Sequence, residues 1–541
     1  MNCKPCIDFE LRKRAARCLA FVFAAIFLVS GAALAQKAGG TLRAMQRDQP
    51  PSASLQEETT NSTLVPFMPV FNNLVVFDQL VSRTDESTIK PDLAKSWAWS
   101  DGGRTLTFKL NEGVKWHDGK PFTSADVKCT WDTLAGKKDM DWRKNPRKDW
   151  YRNLKEVTTP GPYEVRFALE RPQPSFLTFL AIGWSAVYPC HVDGRVMRTK
   201  PIGTGPFKVA ENKPGEIIRL VKNPDYFKKG KPYLDAIDYR LVPNPATRVL
   251  SFVTGMFDVT VQDISLEMEK DIKSQAPKAV CDLGQGLSQG QLLYNPKFEP
   301  LKDQRVRLAI ALAIDRKSIN NVMTRGRAQL GGVFVPPPVG IWGLTMKQLA
   351  DAPGYGPDPE KNLREARELM KAAGYSPSKP LKLQMMVVNR PFFTQATIMF
   401  IDQMRKIGIE ATMDAVEISV WTQRVSSRSN YEISYWGSSM AIDDPDVILY
   451  EGYMCGSLRN YTEYCDKRTE AMIEEQSSTI DPAKRKKLVQ EIERRLQMAA
   501  VRPVFDWKVE GLCWQPNVKN MVRGGSSIYT HYRYEDVWLD K

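Results

Sequence analysis

The sequence predicts an α/β fold, and three observations carry that prediction. Stretches alternating apolar and polar side chains interleave with stretches of helical spacing along the whole chain. Several of the helical stretches open on Asp-Pro or a Thr-x-x-Asp pair and close on Gly, so their ends are written locally. The chain has 541 residues, too many for one core, which divides it into two or three domains. With 43% hydrophobic and 26% charged residues the chain is globular and not disordered.

The elements follow in order. Residues 40–46 read as the first strand, 48–63 as a Ser/Pro/Thr-rich loop, and 64–81 as an apolar segment with helical spacing. Residues 105–110 put Leu106, Phe108 and Leu110 on one strand face. Thr123 with Asp126 caps a helix to about residue 134, and 163–169 is a strand. Residues 172–190 are uncharged but hold Pro172, Pro174 and Gly183, which makes them a buried helix with polar ends and not a membrane span. The glycine-rich turn 202–207 lacks the Lys-Ser/Thr pair and following helix of a phosphate loop. Strands at 217–221, 237–242 and 258–260 and a helix at 245–254 follow. Residues 280–294 run through a flexible glycine-rich crossing into another strand. Helices at 304–323, 358–374, 394–407 and from Asp481 alternate with strands at 381–388 and 409–416. Residues 431–446 start as a strand through Ile433, Tyr435 and Trp436. They end in Asp443, Asp444 and Asp446 around Pro445, which reads either as a pocket wall or as a strand, turn and helix cap.

Arg12, Lys13, Arg14 and Arg17 precede the apolar run 18–30, and Ala33-Leu34-Ala35 fits a small-x-small cleavage site. An exported chain cleaved after Ala35 is expected; an uncleaved anchor is the alternative. Cleavage removes five basic and two acidic residues and takes the net charge from +14 to +11. No Lys/Arg tract suits nucleic acid. Six cysteines remain: Cys129, Cys190, Cys281, Cys455, Cys465 and Cys513. An even number in an exported chain permits disulfides, and Cys455 with Cys465, flanking a polar loop, is the best local pair. Neither a CxxC nor a Cys/His cluster is present in these residues, so no metal or cofactor is expected.

Gly286-Leu287-Ser288-Gln289-Gly290 matches the serine-hydrolase elbow, but an apolar strand follows where that elbow needs a helix. The histidines, His117, His191 and His531, are scattered. Val388-Asn389-Arg390-Pro391-Phe392 sets Arg390 at the end of a strand, where open α/β sheets bind ligands, and Arg grips a carboxylate through two parallel bonds.

The order of elements resembles the family 5 extracytoplasmic solute-binding proteins, the receptors of dipeptide, oligopeptide and nickel ABC importers. The resemblance rests on FDQLV…IKPDLAKSWAWSDGGRTLTFKLNEGVKWHDGKPFTSADV (77–127), PIGTGPFKV at Pro201 and NPDYFKKGKPYLDAIDYRLVP at Asn223. It continues in VRLAIALAIDRKSI at Val306 and YGPDPEKNLREARELMKAAGY at Tyr355. It implies a hinged, three-domain, two-lobe periplasmic-binding-protein fold (type II-like). The first lobe would hold 36–81, 200–290 and 505–541 with an insert of 82–199, and the second 291–504. Hinges are expected near 291–296 and 504–512. In dipeptide receptors of the family an Arg-Pro-Tyr lies at the ligand's carboxylate; here Arg390-Pro391-Phe392 keeps the Arg and loses the hydroxyl. The Asp that grips a peptide's amino group falls on Ala441, which weakens the case for a ligand with a free α-amine. The resemblance also supports the Cys455–Cys465 disulfide.

The expected function is a periplasmic receptor, a monomer and not an enzyme. It captures a short peptide or other small carboxylate-bearing solute and delivers it to an ABC permease complex in the inner membrane. Arg390 is the expected anion anchor, Trp436 and Trp421 the apolar wall, and Asp443 and Asp444 cation or hydroxyl contacts. Asn389, Phe392, Ser438 and Ala441 complete that side; Gln46, Gln285 and Ser288 are expected from the facing lobe and hinge. An exported serine hydrolase built on Ser288 and a sensory or docking protein without transport are the alternatives.

Overall fold

The computed structural model describes residues 36–261 and 264–541; the expected signal peptide lies outside the described residues. The centre of the molecule is one ten-stranded mixed sheet. Its order is Ile409–Val416, Leu381–Val388, Ile433–Ser439, Val280–Tyr294, Val504–Trp514, Val259–Thr260, Thr41–Gln46, Ala236–Leu241, Ile217–Lys222 and Phe207–Lys213. The two long strands in the middle, Val280–Tyr294 and Val504–Trp514, run antiparallel and join the two halves of the sheet.

The glycine-rich piece of this crossing is therefore ordered strand and not a flexible link. Its glycines are required by close neighbours: a Cβ on Gly286 would fall 2.5 Å from the Glu510 carboxyl carbon, and one on Gly290 would fall 2.9 Å from both Asp506 Oδ1 and the Tyr435 hydroxyl. Pairing between the crossing strands is broken at mid-length, where the register skips from Gln285↔Val509 to Gln289↔Trp507 and leaves Lys508 opposite Gly286–Ser288, and it shifts again between Gly290↔Asp506 and Gln291↔Val504.

A separate four-stranded antiparallel sheet, ordered Ala94–Ser100, Thr105–Leu110, Glu164–Leu169 and Leu154–Gly161, packs against helix Ser124–Leu134. Thr123 and Asp126 form the predicted reciprocal cap of that helix. Three predicted helices are shorter or broken. The apolar run after residue 60 gives helix Asn61–Phe67, a short 3-10 turn and then strand Val75–Phe77. The run 172–190 holds helix Phe176–Ala181 and a 3-10 turn at Gly183–Ser185. The helix expected over 304–323 divides into Gln304–Ala313 and Arg316–Thr324, because Asp315 accepts from Ser318 N and starts a second helix. Among the described residues no helix is long and apolar enough to cross a membrane.

The largest apolar cluster joins Phe71, Trp116, Trp131 and Tyr151 with Met440, Val447, Tyr450 and Ile492. A second one gathers Leu292, Ile310, Met385, Phe400 and Phe505 beneath the other end of the sheet. Among the described residues three disulfides close the structure: the expected Cys455–Cys465, and also Cys129–Cys190 and Cys281–Cys513. The last joins directly opposed residues of the two crossing strands.

Candidate ligand-binding site

Strand Ile433–Ser439 is paired along its whole length with Val280–Tyr294, from Tyr294↔Ile433 to Ser288↔Ser439. On its other side it pairs with Leu381–Val388 only through Tyr435. The neighbouring chain turns away at Asn389 and Arg390 into helix Pro391–Arg405, with Pro391 in the first helical turn. The backbone edge of Trp436–Ser439 is thus left unladdered, beside Arg390 and the first turn of a helix.

Side chains converge on this edge. Arg390 Nη2 donates to Asp48 Oδ2 at 2.9 Å, and Arg47 also pairs with Asp48, at 2.7 Å. Arg47 and Asp48 follow strand Thr41–Gln46 and Arg390 follows strand Leu381–Val388, so the ion pair ties together two well-separated strands of the sheet. Burial acts to raise the Asp48 carboxyl, but Arg47 and Arg390 outweigh it and hold Asp48 below the ordinary range. Arg47 is pushed down to about 10 by burial and by Arg390. Trp436 stacks on Trp421 with centroids 3.8 Å apart and on Phe393 at 5.9 Å. Trp421 is 3% exposed and its indole N–H donates to Ser434 Oγ, so it backs Trp436 instead of forming the cleft surface as expected. Phe392 packs edge-on to Phe393.

The crossing strand Val504–Trp514 adds charge that sequence reading passed over. Asp506, Lys508 and Glu510 share one face by the two-residue period of a strand. Lys508 Nζ lies 4.6 Å from the Phe393 centroid, 4.9 Å from Phe392 and 5.7 Å from Tyr435. Burial pushes its ammonium down to about 8, against Asp506 and Glu510 and with help from Arg390 and Arg47. Burial also raises Asp506 and Glu510. The Asp-x-Lys-x-Glu alternation within an otherwise apolar strand was the signal in the sequence.

The remaining expected residues divide. Ser288 Oγ lies 2.6 Å from Ser439 Oγ, inside the cleft near Glu510. Ser438 is half-buried on the same strand, and Asn389 is exposed at the turn. Gln285 donates to the Trp507 carbonyl and braces the crossing strands. Gln46 is buried and donates to the Ser62 carbonyl.

The acidic end needs correction. Asp444 does not face a ligand: its carboxylate takes two parallel bonds from Arg485, at 2.8 and 2.9 Å, and caps helix Pro445–Gly452. Asp443 accepts from Ile341 N, and burial pushes it up to about 7. Asp446 accepts from Ser175 and Ser477. Ala441 is buried in the main apolar cluster and does not line the cleft. Once Arg485 and the caps take these oxygens, the aspartates hold the fold together.

The hydrolase reading fails on geometry. His117 bonds to Gly205 O, His191 to Asp118, and His531 to Val81 O and Thr530, so none is placed to activate Ser288.

Residues 88–459 match the model for bacterial extracellular solute-binding proteins, family 5 Middle. The chain is 29% identical over 446 residues to the oligopeptide-binding protein AppA of Bacillus subtilis, covering 78% of each. It is 27% identical over 455 residues to di/tripeptide-binding protein 1 of Pseudomonas aeruginosa, covering 79% of this chain and 81% of that one. Among solved structures it is similar to the periplasmic binding protein DppA of Helicobacter pylori in complex with the peptide STSA. The TM-score is 0.81 at 24% identity, over 93% of this chain and 99% of that one. The B. subtilis AppA structure with a nonapeptide gives 0.80 at 23% identity, over 94% and 100%.

Proposed function

The chain belongs to the bacterial extracellular solute-binding proteins of family 5 and is the solute-binding receptor of an ABC importer; from that premise we propose that its cargo is a short peptide or a similar extended carboxylate. The observation that carries this reading is the unladdered edge of Trp436–Ser439 ending beside Arg390. A peptide laid along that edge gains backbone hydrogen bonds as an added strand, whatever its side chains. Its carboxylate takes Arg390 from Asp48, and its apolar side chains rest on Trp436 and Phe393.

We assign residues 36–81, 200–290 and 505–541, with the insert 82–199, to one lobe and 291–504 to the other. The two crossing strands are the hinge. The Arg390–Asp48 pair and the seat of Tyr450 against Arg171 are contacts of the closed form. Export with cleavage after Ala35, a monomeric receptor and delivery to a permease in the inner membrane complete the proposal.

Mass spectrometry of small molecules released from the denatured purified protein tests the cargo. Peptides or carboxylates are expected; a reproducible ligand with no acidic group would overturn the role of Arg390. Solution scattering with and without that ligand tests closure, with a smaller radius expected on binding.

A further inference from the structure

Lys508 stands at the longer of two places where the crossing strands lose register, opposite Gly286–Ser288. A break of this kind re-aims a side chain, and bulges gather next to binding sites for that reason. Its ammonium lies over the face of the strand whose edge is unladdered: a Cβ on Gly437 would lie 2.9 Å from Lys508 Nζ. Three aromatic rings surround it, and among the described residues no carboxylate lies within ion-pairing distance of it. Its neighbours in the cleft include two further cations, Arg390 and Arg47. The acids of this region are engaged elsewhere: Asp48 with Arg47 and Arg390, and Asp444 with Arg485. Glu510 and Asp506 are held on the same strand, two residues to either side of Lys508.

We propose that Lys508 is a second anion anchor, and that the solute carries an acidic group besides the carboxylate that meets Arg390. The cargo class is then acidic: a peptide with an Asp or Glu side chain, or a non-peptide dicarboxylate of similar span. This rests on the capture reading above and narrows it. An aromatic cage holds the ammonium in place without neutralising it, so the charge is preorganised for a ligand and costs little further ordering. A neutral ligand leaves that cation in a partly desolvated cleft with Asp506 and Glu510 acting on it only from beyond ion-pairing distance, which is the basis for discrimination.

The test uses the purified protein and matched ligand sets. Di- and tripeptide libraries carrying one Glu at each position are compared with the same libraries carrying Gln. The dicarboxylates from succinate to adipate form a separate arm that tells a peptide source from a free acid. Thermal shift screens the sets and titration calorimetry measures the best pair. An acid-over-amide preference of roughly tenfold or more is expected, since a charged contact in a cleft of intermediate dielectric exceeds that factor. Lys508→Met brings the ratio close to one, and Lys508→Arg restores most of it. Equal affinity for Glu and Gln members in the wild type, or a preference that survives in Lys508→Met, overturns the inference while leaving peptide capture intact. Failure of every set to stabilise the wild type removes the capture reading and this one with it.

Discussion

Replacing Asp444 tests whether the acidic end of the central strand serves the fold or the ligand. Its carboxylate is bonded at both oxygens to Arg485, whose side chain is only 5% exposed. Removing one partner of such a pair strands a buried charge and costs about 3–5 kcal/mol. Arg485 keeps Gln476 Oε1 at 3.1 Å and Asp446 at 3.5 Å, which places the cost toward the lower end. The Asp444 side chain also accepts from Asp446 N at 3.0 Å as a helix cap, worth about 1 kcal/mol. Asp444→Asn keeps a cap acceptor and is expected to lose about 3 kcal/mol; Asp444→Ala loses about 4 kcal/mol. Adding Arg485→Met to Asp444→Ala removes the stranded charge and recovers part of the loss. Urea unfolding reads the stabilities, and calorimetry on the folded variants reads ligand affinity, which stays within about twofold of wild type. A variant of undiminished stability that binds ligand tenfold more weakly would refute the reasoning and return Asp444 to the cleft.

Arg390→Ala is expected to weaken carboxylate binding by about tenfold or more, the worth of a charged hydrogen bond. Asp48→Asn is expected to strengthen it, because Asp48 competes for the same guanidinium; calorimetry on both variants checks the pair of signs. Replacing Cys281 and Cys513 with Ser opens a link between residues 232 apart in sequence and is expected to cost about 2–5 kcal/mol, read as a lower urea midpoint. Burial pushes Glu493 up to about 7, so folding takes up a proton between the ordinary carboxylate range and that value. Its contribution falls as pH rises from about 4 to about 7 and is level above, and Glu493→Gln should flatten that part of the stability–pH curve. Asp443 shifts the same way and leaves a residual slope.

The fold was legible where local chemistry and tertiary packing agree. Alternation gave Thr105–Leu110 and Leu381–Val388, and the Thr123/Asp126 cap gave the start of its helix. It was illegible where a tertiary partner decides. Gly286 and Gly290 read as slack chain, yet they are small because Glu510, Asp506 and Tyr435 crowd them from the two neighbouring strands. The Asp cluster looked like recognition because its consumer, Arg485, lies about forty residues downstream. The places of Arg390 and Trp436 in the fold were legible because Arg390 follows the complete alternation of Leu381–Val388 and Trp436 lies within the strand pattern of Ile433–Ser439. Lys508 was missed because its importance comes from a register break between strands more than two hundred residues apart.

That same pair of strands sets how the molecule moves. Cys281 and Cys513 are bonded to each other at directly opposed positions near one end of the crossing, whereas the register break lies near Lys508. The strands cannot slide past one another at the bonded end. With the lobes as proposed, opening takes the form of flexure beyond the covalent tie, and the fixed point of the second lobe's arc lies inside the first. With Lys508 as the proposed second anchor, the span that flexes also carries a group that holds the cargo.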